Sequence, residues 1–349
     1  MDRYARASDR VRTACDAGGE SRALRQRVLD EIDRVLPYDA YVWPLTDPET
    51  SVGTAPLADV PQLLLIELPR LIRLKYLTDV NRWTTLDGGV ARLHAATQGE
   101  LIRSRMWREA LRQHGVIDVA SSVFRDRFGC WGFLDLWRLA PAEPFTSVDE
   151  AFLAGIAPQV TAALRRTQAE AFVPRPAADA PRPGPVVLLL SPDLEVIGET
   201  PQTHEYLRLL VPPPDGRAPV PASAYNVAAQ LHAVESDVDA NRPYARVSLP
   251  GGQWLSLRAA RISGPHPATI AVTIEDAGPG ERISLFARAF ALSPRESDLL
   301  ALLPSGADTR ALARQLSIAE HTVQDHLKSI FAKTGGRTRQ AVLSHVLGA

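Results

Sequence analysis

Apolar positions along this chain repeat with two different periods. Leu24, Val28, Ile32, Val35 and Leu36 fall three and four apart, as do Phe152, Ile156, Val160 and Leu164, the spacing of helices that bury one stripe. Two helices are thus predicted to bracket a first unit over residues of about 20 to 170. Between them the period drops to two: Tyr38 to Leu45, Val116 to Arg125 and Gly129 to Leu139 read as strands, the last two joined through Asp126-Arg127-Phe128-Gly129 as a hairpin. Thr97-Gln98-Gly99-Glu100 and Ser147-Val148-Asp149-Glu150 each set a hydroxyl and a carboxylate three residues apart, the spacing that caps a helix start. The expectation is an α+β unit with an antiparallel sheet. Strand alternation places Trp131, Phe133, Asp135 and Trp137 on one face of it.

From Pro174 to Pro185 the periodicity stops and proline dominates, which predicts a linker. A second α+β unit follows. Val186 to Leu190 and Leu194 to Gly198 form a hairpin turning at Ser191-Pro192-Asp193, and His204 to Leu210 and Ala224 to Val234 read as helical. Three strands close the unit, Ala245 to Leu249, Trp254 to Ile262 and Thr269 to Glu275, with Gly251-Gly252 at the first turn. After Ala277-Gly278-Pro279-Gly280 comes a short apolar segment in which Ile283, Phe286 and Phe290 share a face.

The C-terminal pattern is the densest. Four helices are predicted: Pro294 to Leu303, Thr309 to Leu316, Glu320 to Thr334 and Arg339 to Leu347. Ser293 before Pro294, with Glu296 in the first turn, forms a capping box with proline at the first helical position. Only Ser317-Ile318-Ala319 separates the second and third helices, the tight spacing of a helix-turn-helix. Leu312, Leu316, Ile318, Val323, Leu327, Ile330 and Phe331 supply the buried faces, leaving Glu320, His321, Gln324, Asp325, Lys328 and Ser329 outward.

Composition narrows the chemistry. In 349 residues, 39 basic side chains oppose 40 acidic ones, which excludes a general coat of positive charge and makes any nucleic-acid contact local. From residue 292 onward seven basic residues face five acidic ones, so one such unit would bind DNA weakly and a dimer on paired half-sites is expected. Two cysteines, Cys15 and Cys130, suit a reducing cytoplasm, and no apolar run approaches the roughly 18 residues of a membrane helix. Cys130 reads as a small buried apolar residue. The eight histidines show no metal spacing, and neither a phosphate-binding G-x-x-x-x-G-K-[ST] nor a serine elbow occurs. No metal, cofactor or enzymatic activity is therefore expected. Lysine occurs only at Lys75, Lys328 and Lys333. A carboxylate among aromatic rings is costly unless paired or solvated, which leaves Asp135 a wet pocket, an arginine partner or the sheet edge.

Leu292-Ser-Pro-Arg-Glu296, Leu312-Ala-Arg-Gln-Leu316, His321-Thr-Val-Gln-Asp-His326-Leu-Lys-Ser-Ile330 and Lys333-Thr-Gly335 together resemble the C-terminal DNA-binding domain of bacterial LuxR-type transcription regulators. The resemblance implies that the third helix enters the major groove of double-stranded operator DNA, with Gln324, Asp325 and Lys328 facing bases. It sets Thr322, Lys333, Thr309 and Arg310 near phosphates. Glutamine suits adenine, aspartate suits cytosine N4 and lysine suits guanine acceptors, each good pair giving about 1–3 kcal/mol of discrimination. This sequence departs from the family pattern at Ala319, where a hydroxyl N-cap is usual, at Ala311 for a glutamate, at Gly336 for a valine, and at Pro304.

The preceding units resemble GAF and PAS domains, GAF by Val123 to Trp137 and PAS by its order of strands and helices. The expected organisation is multidomain: an α+β GAF-like sensor domain at 1–173, a linker at 174–185, an α+β PAS-like domain at 186–277, a connecting segment at 278–291 and an all-α four-helix LuxR-type domain at 292–349. A small-molecule effector is expected at Trp131, Phe133, Asp135 and Trp137, in a cytoplasmic homodimeric regulator. The rival expectation is a partner-regulated switch whose N-terminal units bind protein or dimerise without a ligand.

Overall fold

The computed structural model describes residues 3–61, 67–86, 89–172, 186–210, 220–249, 252–263 and 268–348. The predicted linker at 174–185 and Gly251 lie outside the described residues. The chain divides into two compact units, one made of Met1–Leu164, Arg182–Val247 and Ser256–Glu275, the other of Arg165–Pro181, Ser248–Leu255 and Asp276–Ala349.

The first unit opens with α1 (Arg3–Asp16) and α2 (Ser21–Asp33). Helix α1 goes unpredicted because only Ala7, Val11 and Cys15, spaced four apart, are buried in an otherwise polar segment. A five-stranded sheet follows: β1 (Ala40–Thr46), β2 (Gly53–Asp59), β3 (Val90–Arg92), β4 (Val116–Asp126) and β5 (Gly129–Leu139). Its order is β2-β1-β5-β4-β3, with each neighbouring pair antiparallel and the expected β4–β5 hairpin closing at Asp126 opposite Gly129. On one face pack α3 (Leu68–Leu77), α4 (Leu93–Ala96) and a π-helical turn at Trp107–Leu111, gathering Leu71, Leu74, Leu93, Leu111, Val119 and Trp137 into a cluster. A Cβ at Gly132 would point the other way and lie 3.4 Å from Leu164 Cδ1 of α5 (Ser147–Glu170), so the long helix covers the opposite face.

Three local expectations shift. Phe124 pairs with Gly132 but Arg125 with Cys130, so Trp131 is the extra residue of a bulge that breaks strict alternation. Cys130 takes Trp131's expected place beside Phe133, Trp83 and Val123, and the Trp131 indole N–H reaches Asp126 Oδ1 at 3.0 Å. At Thr97 no helix starts: its hydroxyl donates back to Leu93 O at 2.8 Å, and the positive φ angles of Gln98 and Gly99 end α4 there. At α5 the reciprocal cap forms one residue early, Thr146 Oγ1 accepting from Asp149 N–H at 3.2 Å and Asp149 Oδ2 from Thr146 N–H at 2.8 Å.

The second α+β region belongs to this unit for most of its length. Its sheet comprises β6 (Val186–Leu190), β7 (Val196–Glu199), β8 (Tyr244–Ser248), β9 (Trp254–Arg261) and β10 (Ile270–Asp276), ordered β7-β6-β10-β9-β8. Counted from its own first strand, each sheet thus runs second, first, fifth, fourth, third. Helices α6 (Thr203–Leu210) and α7 (Ala222–Glu235) lie between β7 and β8 in the chain. Helix α7 is buried on almost every side, through Ala224, Val227, Ala228 and Gln230 among others, because it packs on α3 and β2 of the first region. Gly53 permits that approach: a Cβ there would sit 2.7 Å from Asn226 Oδ1.

An ion pair joins the two regions. Asp47, 0% exposed, accepts from Arg246 Nε at 2.7 Å and Nη2 at 2.9 Å, and from the backbone N–H groups of Arg246, Glu49 and Thr50. Burial alone would push the Arg246 guanidinium down, but the charge and hydrogen bonds of Asp47 push it above the ordinary arginine range.

The second unit holds α8 (Pro279–Ala289), α9 (Pro294–Leu302), α10 (Thr309–Leu316), α11 (Glu320–Thr334) and α12 (Arg339–Leu347). Residues expected only to connect form α8, whose first turn is capped by Glu281 accepting from Gly278 N–H at 2.7 Å. Phe172, Trp254, Phe286 and Phe290 meet in one aromatic cluster: Phe172 stacks on Trp254 at 4.7 Å and meets Phe286 edge-on at 5.1 Å, while Phe286 and Phe290 lie 4.3 Å apart. Arg282 ties α8 to the last helix by donating to Val346 O at 2.5 Å.

Candidate functional site

Helices α10 and α11 form the helix-turn-helix. Asp308 caps α10 by accepting from Ala311 N–H at 2.7 Å, and Ser317 ends it in a left-handed conformation, φ 54°, that redirects the chain within three residues. Helix α11 starts at Ala319 without a side-chain cap, as its sequence anticipates. Its core face is Val323, Leu327, Ile330 and Thr334. The opposite stripe, Glu320, His321, Gln324, Asp325 and Lys328, is exposed, and Lys328 Nζ lies 3.1 Å from Asp325 Oδ1. All three residues expected to face bases therefore stand on one solvent-facing surface. Thr322 is half-buried beside them.

Glu296 of α9 holds this surface in place. Its carboxylate accepts from Ser293 N–H at 2.6 Å, completing the predicted capping box, and also from Ser329 Oγ at 2.5 Å and Lys333 Nζ at 2.6 Å. Burial alone would raise its pKa, but these hydrogen bonds and the Lys333 charge push it down to about 2. Ser329, expected outward, instead turns to α9. Lys333, expected near phosphate, is engaged with Glu296 while keeping 35% of its side chain exposed. Thr309 Oγ1 accepts from Arg339 Nη2 at 2.7 Å, and Arg310 is exposed on an open groove shared with Arg314, Ser317 and Glu320. The departure at Gly336 has a packing reason: a Cβ there would come within 2.7 Å of Val342 Cγ2, which already fills that space.

The four residues expected to line a ligand pocket separate. Trp137 belongs to the sheet–helix cluster, Phe133 stacks on Trp83 at 5.1 Å, and Trp131 sits at the bulge. Asp135 alone faces a cavity. It is 2% exposed and its partner is a lysine in place of the expected arginine: Lys75 Nζ, 6% exposed, lies 2.8 Å from Oδ2. Trp83 Nε1 donates to Oδ1 at 2.8 Å, and Lys75 also donates to Ser121 Oγ at 3.2 Å and stands 4.8 Å from the Trp83 ring centroid. The cavity, of about 20 Å³, is lined by the polar residues Lys75, Asn81, Ser104, Ser121 and Asp135 and by the apolar Val80, Leu93, Met106, Leu111 and Val119. Asn81 Nδ2 is buried there without an acceptor. Sequence reasoning misses Lys75 as a site residue: it is one of three cations in α3, with Arg70 and Arg73, and only its being one of three lysines in the chain sets it apart. Cys130 is buried as expected, and burial pushes its thiol up.

Residues 291–346 match the model of the luxR family of bacterial regulatory proteins, GerE. Over 58 residues, 17% of this chain, the sequence is 40% identical to the probable HTH-type transcriptional regulator GfsR of Streptomyces halstedii. The match spans 24% of that protein. Among solved structures, SdiA of Escherichia coli is 13% identical with a TM-score of 0.32, covering 92% of this chain and 89% of its own. The VqmA dimer of Vibrio cholerae is 17% identical with a TM-score of 0.18, covering 48% of this chain and 82% of its own. Both scores are too low to establish a shared overall fold. No helix among the described residues is long and apolar enough to cross a membrane. The family match and the helix geometry coincide: residues 291–346 are a LuxR-type helix-turn-helix domain.

Proposed function

We propose that the protein is a sequence-specific transcription regulator that binds double-stranded operator DNA as a homodimer, under control of a small-molecule signal received in its first α+β region. The observation that carries DNA reading is the exposed stripe of His321, Gln324, Asp325 and Lys328 on a helix whose other face is core. Gln324, Asp325 and Lys328 read bases in the major groove, while Thr309, Arg310, Thr322 and Lys333 lie near phosphates. The modest excess of positive charge in this domain favours two copies on paired half-sites. GAF-like and PAS-like assignments of the two α+β regions are supported by their common strand order. Signal reception is supported by the cavity at Asp135.

The test is operator selection and binding with Gln324→Ala in the full chain. The variant is expected to relax base preference at one position of each half-site at a loss of about 1–3 kcal/mol. Unchanged affinity and unchanged preference would place the reading surface elsewhere.

A further inference from the structure

The cavity at Asp135 is built unevenly. Most of its lining is buried, Lys75, Ser104, Ser121 and Asp135 included. Val80, Asn81 and Met106 are only half-buried. Methionine is unbranched and changes rotamer at little cost, so Met106 provides a way in for an occupant larger than the closed volume.

The polar groups define what that occupant offers. Lys75 and Asp135 neutralise each other at 2.8 Å, and each oxygen of Asp135 has one partner, Lys75 on one and Trp83 on the other. A further charge of either sign beside this pair would be buried without compensation. Donors are in surplus: Asn81 Nδ2 has no acceptor, and the Lys75 ammonium carries three N–H groups of which two are directed to Asp135 and Ser121. The unmet need is an acceptor oxygen within reach of Asn81 Nδ2. The lining residues Leu93, Leu111 and Val119 offer only apolar contact.

We infer that this cavity binds a small uncharged molecule presenting an acceptor oxygen, such as a carbonyl, on a short aliphatic body. This rests on the proposed small-molecule control of the region and names the chemistry of the signal. Its oxygen accepts from Asn81 and Lys75, and its aliphatic part covers Leu111 and Val119. The competing occupant is one structural water, for which about 20 Å³ suffices.

Saturation-transfer NMR on the full chain separates these, with butyramide, butyrate and n-butylammonium as probes of equal size and different charge. Butyramide is expected to bind at least about tenfold more tightly than either ion. Asn81→Gly, which keeps the left-handed backbone at this position (φ 51°) while removing the amide, is expected to weaken it about three- to tenfold. Leu111→Trp, which fills the cavity, is expected to abolish binding; where that variant does not fold, Asn81→Gly decides alone. Equal binding of all three probes, unchanged butyramide binding in Asn81→Gly, or no binding by any probe would overturn the inference. Operator affinity measured with and without saturating butyramide then addresses signalling separately. Selective, Asn81-dependent binding that leaves operator affinity unchanged supports the site and removes the proposed control.

Discussion

Asp47–Arg246 and Lys75–Asp135 are both carboxylate–cation pairs withdrawn from water, and both draw their partners from distant parts of the chain. They differ in how completely their neighbours use them. Asp47 accepts five hydrogen bonds, three from Arg246 and two from the turn that follows it. Asp135 accepts one from Trp83 and pairs with Lys75, beside a cavity and an amide without an acceptor. A buried charge whose lone pairs are all used fastens two pieces of structure together. One left beside unused donors and empty space has somewhere to take a further group.

That contrast is easiest to break at its saturated end. Arg246→Met is expected to destabilise the full chain by about 3–5 kcal/mol, because it strands Asp47 where no water reaches it. Urea unfolding of wild type and variant measures the loss. Lys75→Met is expected to cost less, about 2 kcal/mol, since the adjoining cavity admits a water to Asp135. If Lys75→Met proved as damaging as Arg246→Met, the two pairs would be equivalent and the distinction would fall.

Glu296 differs from both, with its carboxylate buried and its partner Lys333 partly at the surface. Its folded pKa, about 2, is below the ordinary 4.5, so the interaction contributes its full stability above 4.5 and loses it as pH falls toward 2. Calorimetry of wild type and Glu296→Gln across that window is expected to show the smallest effect of the three: a stability difference present above 4.5 that shrinks steadily on acidification. A difference independent of pH would mean that Glu296 acts by shape and hydrogen bonding alone.

The C-terminal helices were legible because they carry their own boundaries. Ser293 announced its cap in the sequence, and the stripe of Val323, Leu327 and Ile330 showed which side is core; the structure adds caps at Asp308 and Thr338, each accepting from a backbone N–H three residues on. Strands β1, β4 and β5 and those of the second sheet were legible in the sequence, alternation breaking where Trp131 added a residue, whereas β2 and the three-residue β3 went unread. Edge strand β2 was obscured by Gly53 and Pro56, which lower strand propensity yet fit an edge that must approach α7. Lys75 stayed hidden for a different reason. Nothing near residue 75 in the chain signals Asp135; the pair exists only once α3 lies over β5. The same applies to Arg246 and Asp47, so the connection between the two α+β regions was invisible to a reading that proceeds segment by segment.

The aromatic cluster bears on the order in which the molecule is made. Phe172, Trp254 and Phe286 come from three widely separated stretches, so during synthesis Phe172 leaves the ribosome long before the two rings that cover it. Until α8 emerges, the nascent chain carries an uncovered aromatic surface, and the second unit has no means of completing itself early. Its assembly is therefore tied to the end of translation, and a chain cut short before Phe286 leaves Phe172 and Trp254 without the edge-on ring that completes their stack.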